Sequence, residues 1–249
     1  ATTAAQVNSI RRAILADVPK MAITKVIFEQ GVTQDNQGEV IESVNVLPDE
    51  VLAHRLAMVP VPTYLDEFVF PEDDPNNENV PEDQWGSPLS QIIYHLSIRG
   101  PNSDSDDDFK TVYAGDLNVL GETKLQIRDE HKRMPLTILA KGQYLELYAY
   151  ATLGRGKQHT KWCPAAAVTF QPRQKAILSK PKKANTLFDL NLTSKSGRDI
   201  NSKLFTNKEC VDVDAVLDLE RALHQVGPGT GRDADFDDAI VLEDIEGEY

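Results

Sequence analysis

The sequence predicts an α+β fold, because stretches with helical periodicity and stretches rich in β-branched and aromatic residues alternate without a regular βαβ rhythm. The strongest β signal is Tyr144–Tyr150, which reads Y-L-E-L-Y-A-Y. The strongest helical signals are apolar stripes near the amino terminus and in residues 211–225. The chain of 249 residues allows one large domain or two of ordinary size.

Three helices are predicted from apolar residues at helical spacing. The first carries one apolar stripe, formed by Val7, Ile10, Ile14 and Val18. It is expected to end before Pro19, because the residue before a proline disfavours helical geometry. The second helix follows Pro48 and reaches about Met58, with acidic residues in its first turn. The third covers Val211–Gln225.

Strands are predicted where β-favouring residues are dense. In chain order they are Ala22–Glu29, Val40–Leu47, Ile92–Ile98, Thr111–Ala114, Thr137–Ala140, Tyr144–Tyr150 and Ala166–Phe170. Most of residues 63–110 is predicted to be loop, and Arg173–Leu192 a basic, proline-interrupted connector that ends in a short apolar patch. The acidic run Asp233–Glu248 is typical of a solvated carboxy-terminal tail.

Composition excludes several classes of protein. With 26 basic and 39 acidic residues, the net charge is -13, which argues against wrapping nucleic acid with the whole surface. No apolar run approaches the roughly 18 residues that span a bilayer, and the first residues lack a secretion-signal pattern, so we expect an intracellular protein without a membrane partner. Cys163 and Cys210 are too few for a disulfide framework, and we expect reduced thiols.

No residue pattern that could support catalysis is complete. Gly154–Lys157 resembles a phosphate-binding loop, but Ala151 stands where the motif needs Gly and Gln158 where it needs Ser or Thr. His159 and Cys163 are four residues apart, as in half of a metal site, and no second half follows. The sequence therefore predicts no catalytic residue, no metal and no cofactor.

Two charged segments leave alternatives open. Asp233–Asp238, which follows the linker-like Gly227–Gly231, could offer carboxylates to a divalent cation in a metal-dependent hydrolase, but a solvated tail explains it better. Arg155–Lys183 contains eight Lys or Arg and no Asp or Glu. With Trp162 and Phe170 as its aromatics, it could belong to a free-standing module that binds single-stranded nucleic acid, or it could meet an acidic partner.

Three segments resemble a known family. They are Asn8–Pro19 (NSIRRAILADVP), Leu47–Pro60 (LPDEVLAHRLAMVP) and Gly156–Pro164 (GKQHTKWCP). Their order and approximate spacing are similar to those of the α-like subunit of multisubunit DNA-dependent RNA polymerases. This family includes the archaeal D-type subunit, the third-largest subunit of eukaryotic RNA polymerase II, its counterpart in polymerases I and III and, more distantly, the amino-terminal domain of bacterial α.

The resemblance implies a discontinuous dimerisation domain, residues 1–46 with 165–249, interrupted by an inserted mainly-β domain at residues 47–164. It also implies a non-catalytic assembly subunit that pairs with a smaller α-like subunit and binds the second-largest subunit and two small zinc-binding subunits. DNA is then contacted only indirectly, through the complex. The location would be the nucleus in a eukaryote and the cytoplasm in an archaeon.

The resemblance further implies two sets of interface residues. The first is on the first helix: Val7, Asn8, Ile10, Arg11, Arg12, Ile14 and Val18. Of these, Arg12 is expected to bind the second-largest subunit, as the second arginine of the motif does in the family. The second set is Lys157, His159, Lys161 and Trp162, in an expected loop-to-strand junction where Trp162 packs between the two domains.

The sequence departs from the family in three ways. Many relatives carry a zinc-binding cysteine cluster in the inserted domain, or iron-sulfur ligands in a separate insertion. Here residues 63–110 contain no cysteine and Cys210 stands alone, so no metal is expected. Ala57 replaces a usual glycine at the end of the second helix. The chain opens close to its first helix and closes at Tyr249, so it is expected to be a fragment that lacks terminal elements of the subunit.

Overall fold

The computed structural model describes residues 2–29, 31–34, 38, 40–43, 47–102, 104–226 and 238–249. These residues form four α-helices and eleven β-strands. The helices are α1 (Ala4–Ala16), α2 (Asp49–Ala57), α3 (Pro181–Phe188) and α4 (Val213–Val226). The strands are β1 (Pro19–Phe28), β2 (Val32–Gln34), β3 (Val40–Glu42), β4 (Gln91–Arg99), β5 (Phe109–Tyr113), β6 (Asn118–Val119), β7 (Pro135–Ala140), β8 (Tyr144–Arg155), β9 (Gln174–Leu178), β10 (Glu209–Cys210) and β11 (Ile240–Asp244).

Contacts within the chain divide it into two compact units. The terminal unit comprises residues 1–11 and 169–249, and the central unit comprises residues 12–168. The mixture of helices and several sheets agrees with the predicted α+β class. The division into a dimerisation domain (1–46 and 165–249) and an inserted domain (47–164) stays a prediction. Strand β1 lies in the predicted first part of the dimerisation domain, and β8 lies in the predicted inserted domain. The two strands pair along the length of β1.

The central unit is built on an antiparallel sheet in the order β1-β8-β4-β6. Alternate residues of β8, such as Leu145 and Leu147, are buried on one face, which is the period-two pattern of a half-covered sheet. Helix α2 packs on β1 and buries Leu52 and Leu56. A second antiparallel pair, β5 with β7, contributes Leu139 to the same core.

The terminal unit has its own small core. Strand β9 lies between β10 and β11, and both pairings are antiparallel. Helix α4 packs on β9 and buries Val216 and Leu219, while α3 contributes Ala184 and Leu187. No helix among the described residues is both long enough and apolar enough to cross a bilayer.

Most predicted elements are present, with shifted ends. Val18 lies beyond the end of α1, and β8 continues five residues past the predicted Tyr150, to Arg155. Strand β3 occupies Val40–Glu42 of the predicted Val40–Leu47, and residues 44–46 lie outside the described residues.

Three predictions for the last third of the chain are wrong. The strand at Ala166–Phe170 is absent, because this β-favouring stretch has no neighbouring strand to pair with among the described residues. The expected loop-to-strand junction is therefore absent too. The connector Arg173–Leu192 instead contains β9 and α3. The tail Asp233–Glu248 contains β11, which pairs with β9. Gly227–Gly231 and Asp233–Asp237 lie outside the described residues.

Candidate subunit interface

Helix α1 is fixed at its amino end by reciprocal hydrogen bonds. The backbone N of Gln6 donates to Oγ1 of Thr3 at 3.3 Å, and the backbone N of Thr3 donates to Oε1 of Gln6 at 2.9 Å. This capping box satisfies two amide donors that the helix itself leaves unpaired. The sequence therefore sets the start of the helix locally, independently of any partner.

The two sides of α1 differ in exposure. Val7, Arg11 and Leu15 are half-buried, so this side packs on the chain itself. Ile10 is 61% exposed and Ile14 is 36% exposed, and no residue of the helix is buried. The predicted stripe is therefore split, because Val7 belongs to the covered side while Ile10 and Ile14 face outward. Ile10 and Ile14 are neighbours on the helix surface, and an apolar patch left in water is the kind of surface that a partner can cover.

The two arginines of α1 have different surroundings. Nε of Arg11 donates a hydrogen bond to Oδ1 of Asn8 at 3.0 Å, and Arg11 is half-buried. Arg12 is exposed, and its side chain makes no hydrogen bond or ion pair within the described part of the chain. Its five guanidinium donors are therefore available to an acceptor on another molecule.

An apolar groove of about 470 Å³ lies in the terminal unit beside Val7. Its walls include Phe170, Val213 and Tyr249, which are 37%, 45% and 44% exposed. The rings of Phe170 and Tyr249 meet edge to face, with their centroids 6.0 Å apart. The sequence prediction missed this groove, because its residues come from distant parts of the chain and share no local pattern.

The glycines of the GRGK sequence are explained by close packing. The ring of Trp162 lies directly over Gly154, and its Nε1 donates to the carbonyl oxygen of Thr152 at 3.0 Å. A Cβ at Gly156 would lie 2.0 Å from the carbonyl oxygen of Leu15. Both positions therefore need glycine because other groups approach the backbone closely. Sequence reasoning tested these glycines only as a phosphate loop and missed this role.

The remaining members of the second predicted set lie around this ring. Nζ of Lys161 is 4.5 Å from the centroid of the Trp162 ring, a cation–π distance, and burial lowers the pKa of this amine. His159 is exposed, and its Nδ1 accepts a hydrogen bond from the backbone N of Lys161 at 3.1 Å. Lys157 is exposed. The structure therefore brings Lys161 and Trp162 together and places Lys157 and His159 at the surface.

Three cations in the later part of the basic segment are paired with carboxylates inside the terminal unit. Its ion pairs are Arg173 with Glu248 at 2.8 Å, Lys175 with Glu209 at 3.4 Å and with Glu243 at 3.7 Å, and Lys180 with Asp238 at 3.1 Å. In contrast, no ion pair among the described residues joins Lys157 or Lys161 to a carboxylate. The basic stretch 155–183 therefore has two parts that differ in their ion pairing within the described part of the chain: an earlier part without ion pairs at Lys157 and Lys161, and a later part with them.

The described residues contain no group of three or more His, Cys, Asp or Glu arranged to hold a metal ion. Sγ of Cys163 donates to the carbonyl oxygen of Ala165 at 3.0 Å, and Cys210 is buried. Burial raises the pKa of the Cys210 thiol, as expected for an inert core cysteine.

The chain is similar to curated subunits of archaeal RNA polymerase. It is 31% identical to the DNA-directed RNA polymerase subunit Rpo3 of Picrophilus torridus over 186 residues, which cover 75% of this chain and 62% of that protein. It is 35% identical to Rpo3 of Pyrobaculum islandicum over 189 residues, 76% of this chain and 62% of the relative. The chain is a relative of the α-like RNA polymerase subunits.

The resemblance inferred from the three sequence segments is thereby confirmed. Rpo3 of Archaeoglobus fulgidus gives a further match, with 32% identity over 66% of this chain and 51% of the relative. The chain spans about three fifths of the length of the first two relatives. No protein-family model matches it.

Proposed function

We propose that this chain is a non-catalytic assembly subunit of a DNA-dependent RNA polymerase. In this proposal, α1 pairs with a smaller α-like subunit, and the resulting heterodimer recruits the second-largest subunit. The observation that carries the proposal is the outward apolar side of α1, where Ile10 and Ile14 are left in water while the adjacent side packs on the chain itself.

The energetics support a partner over this helix. Covering an exposed isoleucine side chain is worth up to roughly 1.5–3 kcal/mol, so two of them could supply the centre of an interface. The groove beside Val7 adds exposed aromatic rings from the same terminal unit, and aromatic residues are enriched where proteins associate.

The other proposed contacts are polar. Arg12, exposed and without an intramolecular partner among the described residues, is proposed to bind the second-largest subunit, and Lys157 and His159 to face a further polymerase subunit. The two small zinc-binding subunits join the same assembly, which meets DNA only indirectly. The archaeal source of the relatives favours the cytoplasm over the nucleus.

The alternative of a free-standing module that binds single-stranded nucleic acid is less well supported. Such a module needs unpaired cations along a groove and aromatic rings for base stacking. Arg173, Lys175 and Lys180 are instead paired with carboxylates of the same unit.

The test is coexpression of the chain with the α-like and second-largest subunits of its own polymerase. Ile10→Asp should abolish recovery of the smaller subunit, because the interface would bury an unpaired carboxylate. Ser9→Asp is the matched control, since Ser9 is the exposed neighbour on a different side of α1. Arg12→Ala should keep the heterodimer but lose the second-largest subunit. If Ile10→Asp and Ser9→Asp recover the smaller α-like subunit equally well, pairing through this side of α1 is refuted.

A further inference from the structure

The central unit contains a pocket with a cationic lining. It has a volume of about 290 Å³, and its charged and titratable side chains are Lys20, Arg128 and His131. The remaining wall includes Pro60 and Pro164, so much of it is proline. No aspartate or glutamate of the described residues lines it. The pocket therefore presents a concentrated positive potential in a chain whose net charge is -13.

The positive groups of this pocket are not neutralised by the described part of the chain. Nζ of Lys20 donates to the carbonyl oxygen of Lys161 at 3.1 Å and has no carboxylate in ion-pair contact within the described residues. Arg128 is exposed, and its side chain has no hydrogen-bond or ion-pair partner there either. The adjacent Asp129 carboxylate is held by Lys132 at 2.6 Å.

Lys20 is the partly desolvated cation of the pocket lining. Lys20 is half-buried, and this desolvation lowers the pKa of its amine, although the nearby Cys163 acts in the opposite direction. A half-buried ammonium with one neutral acceptor has lost part of its hydration, and an anion bound beside it would offset that cost. The surrounding prolines have fixed φ angles, so the wall loses little conformational entropy when a ligand binds.

The size and surroundings of the pocket distinguish between anions. Its volume suits one small anionic group, whereas a nucleic-acid strand needs a row of cations along several phosphates. No Phe, Tyr or Trp of the described residues lines the pocket, so base stacking has no platform there.

We propose that this pocket receives a carboxylate side chain from an acidic segment of another polymerase subunit. The inference rests on the proposed function and adds a second docking point, in a different unit from the groove beside Val7. The carboxylate would bond to the Lys20 amine and the Arg128 guanidinium, which can hold it with two parallel hydrogen bonds.

The experiment uses the complex reconstituted from the full chain and its polymerase subunits. A zero-length carbodiimide reagent joins an amine to a carboxylate only when the two are in contact. In wild-type complex, mass spectrometry should find Lys20 joined to an aspartate or glutamate of a partner subunit. Arg128→Glu, an exposed position whose change should not affect folding, should weaken recovery of that subunit roughly tenfold, most strongly at low salt.

Two controls complete the design. Lys110→Glu makes the same charge change at an exposed site on β5 that does not line the pocket, and should recover all subunits normally. Lys20→Met keeps the apolar stem, removes the amine, and should abolish the cross-link while thermal unfolding shows a folded chain.

The outcomes separate the two proposals. If the wild-type chain recovers no polymerase subunit, the proposed function fails and this inference fails with it. If the complex forms but Lys20 joins no partner carboxylate and Arg128→Glu behaves as Lys110→Glu does, the inference alone is refuted. A third outcome would also refute the inference: the isolated Arg128→Glu chain captures less single-stranded DNA than the wild-type chain, while its subunit assembly is normal. That result would identify a phosphate ligand for the pocket.

Discussion

The packing of Trp162 on Gly154 allows a stability prediction with a worked magnitude. A Cβ at Gly154 would lie 2.3 Å from Cε2 and 2.4 Å from Cδ2 of the indole, whereas ordinary van der Waals contact begins at 3.4 Å. In Gly154→Ala, the ring must therefore withdraw by about 1 Å. It cannot do so freely, because its Nε1 donates to the carbonyl oxygen of Thr152 at 3.0 Å.

The expected cost combines two effects. Overpacking costs about 1–3 kcal/mol, and weakening the indole hydrogen bond adds about 0.5–1.5 kcal/mol. We expect Gly154→Ala to lower the free energy of unfolding by about 2–3 kcal/mol. The measurement is urea denaturation of the full chain followed by far-ultraviolet circular dichroism, which does not depend on tryptophan fluorescence.

The decisive comparison is the same substitution in a Trp162→Ala background. Gly154 does not have a positive φ, so alanine fits the backbone once the ring is gone. There, Gly154→Ala should be neutral or should stabilise by about 0.4–1 kcal/mol, because alanine restricts the unfolded chain. If Gly154→Ala is equally destabilising in both backgrounds, the double-mutant cycle shows no coupling and the close approach of the ring is not the reason for glycine.

Two further predictions concern single side chains. The hydroxyl of buried Tyr94 donates to the carbonyl oxygen of Leu125 at 2.6 Å, so Tyr94→Phe should lower the free energy of unfolding by about 1–3 kcal/mol in urea denaturation; an unchanged midpoint would contradict this. Asp212 lies just before the start of α4. The main cause that lowers the pKa of its carboxyl group is a hydrogen bond donated by the backbone N of Ala215. The stabilisation by the Asp212 carboxylate is present above the ordinary carboxyl pKa and is lost as pH falls through the lowered pKa. Asp212→Asn should therefore flatten the acid side of a plot of unfolding free energy against pH. An unaltered plot would count against this role.

The elements that sequence predicted well are those with local signals. Pro48 and the acidic residues after it set the start of α2, and the helix begins at Asp49. Strand β4, predicted at Ile92–Ile98, extends only one residue further at each end. For α2 the chain's own chemistry decides the structure over a few residues, whereas β4 forms where its strong β propensity meets a neighbouring strand, β8.

The elements that sequence missed depend on distant pairing. Strand β11 lies in an acidic stretch that composition assigns to solvent, yet Glu243 lies 3.7 Å from Lys175 of β9 and the two strands pair. Conversely, Ala166–Phe170 has the β propensity and no partner strand among the described residues. The β propensity of a residue mainly reflects how well it packs against neighbouring strands, and a single sequence does not say which strands will be its neighbours.

The candidate interface shows the same limit more sharply. Periodicity placed Val7, Ile10 and Ile14 on one side of a helix, but it could not tell which of them the chain covers itself. The structure separates them, since Val7 is half-buried while Ile10 is 61% exposed. In a protein that functions alone, an outward isoleucine on an amphipathic helix exposes apolar surface to water and contributes nothing to binding. In a subunit, the apolar residues that internal packing leaves uncovered are the ones available to a partner, so Ile10 is a sharper test of pairing than the stripe as a whole.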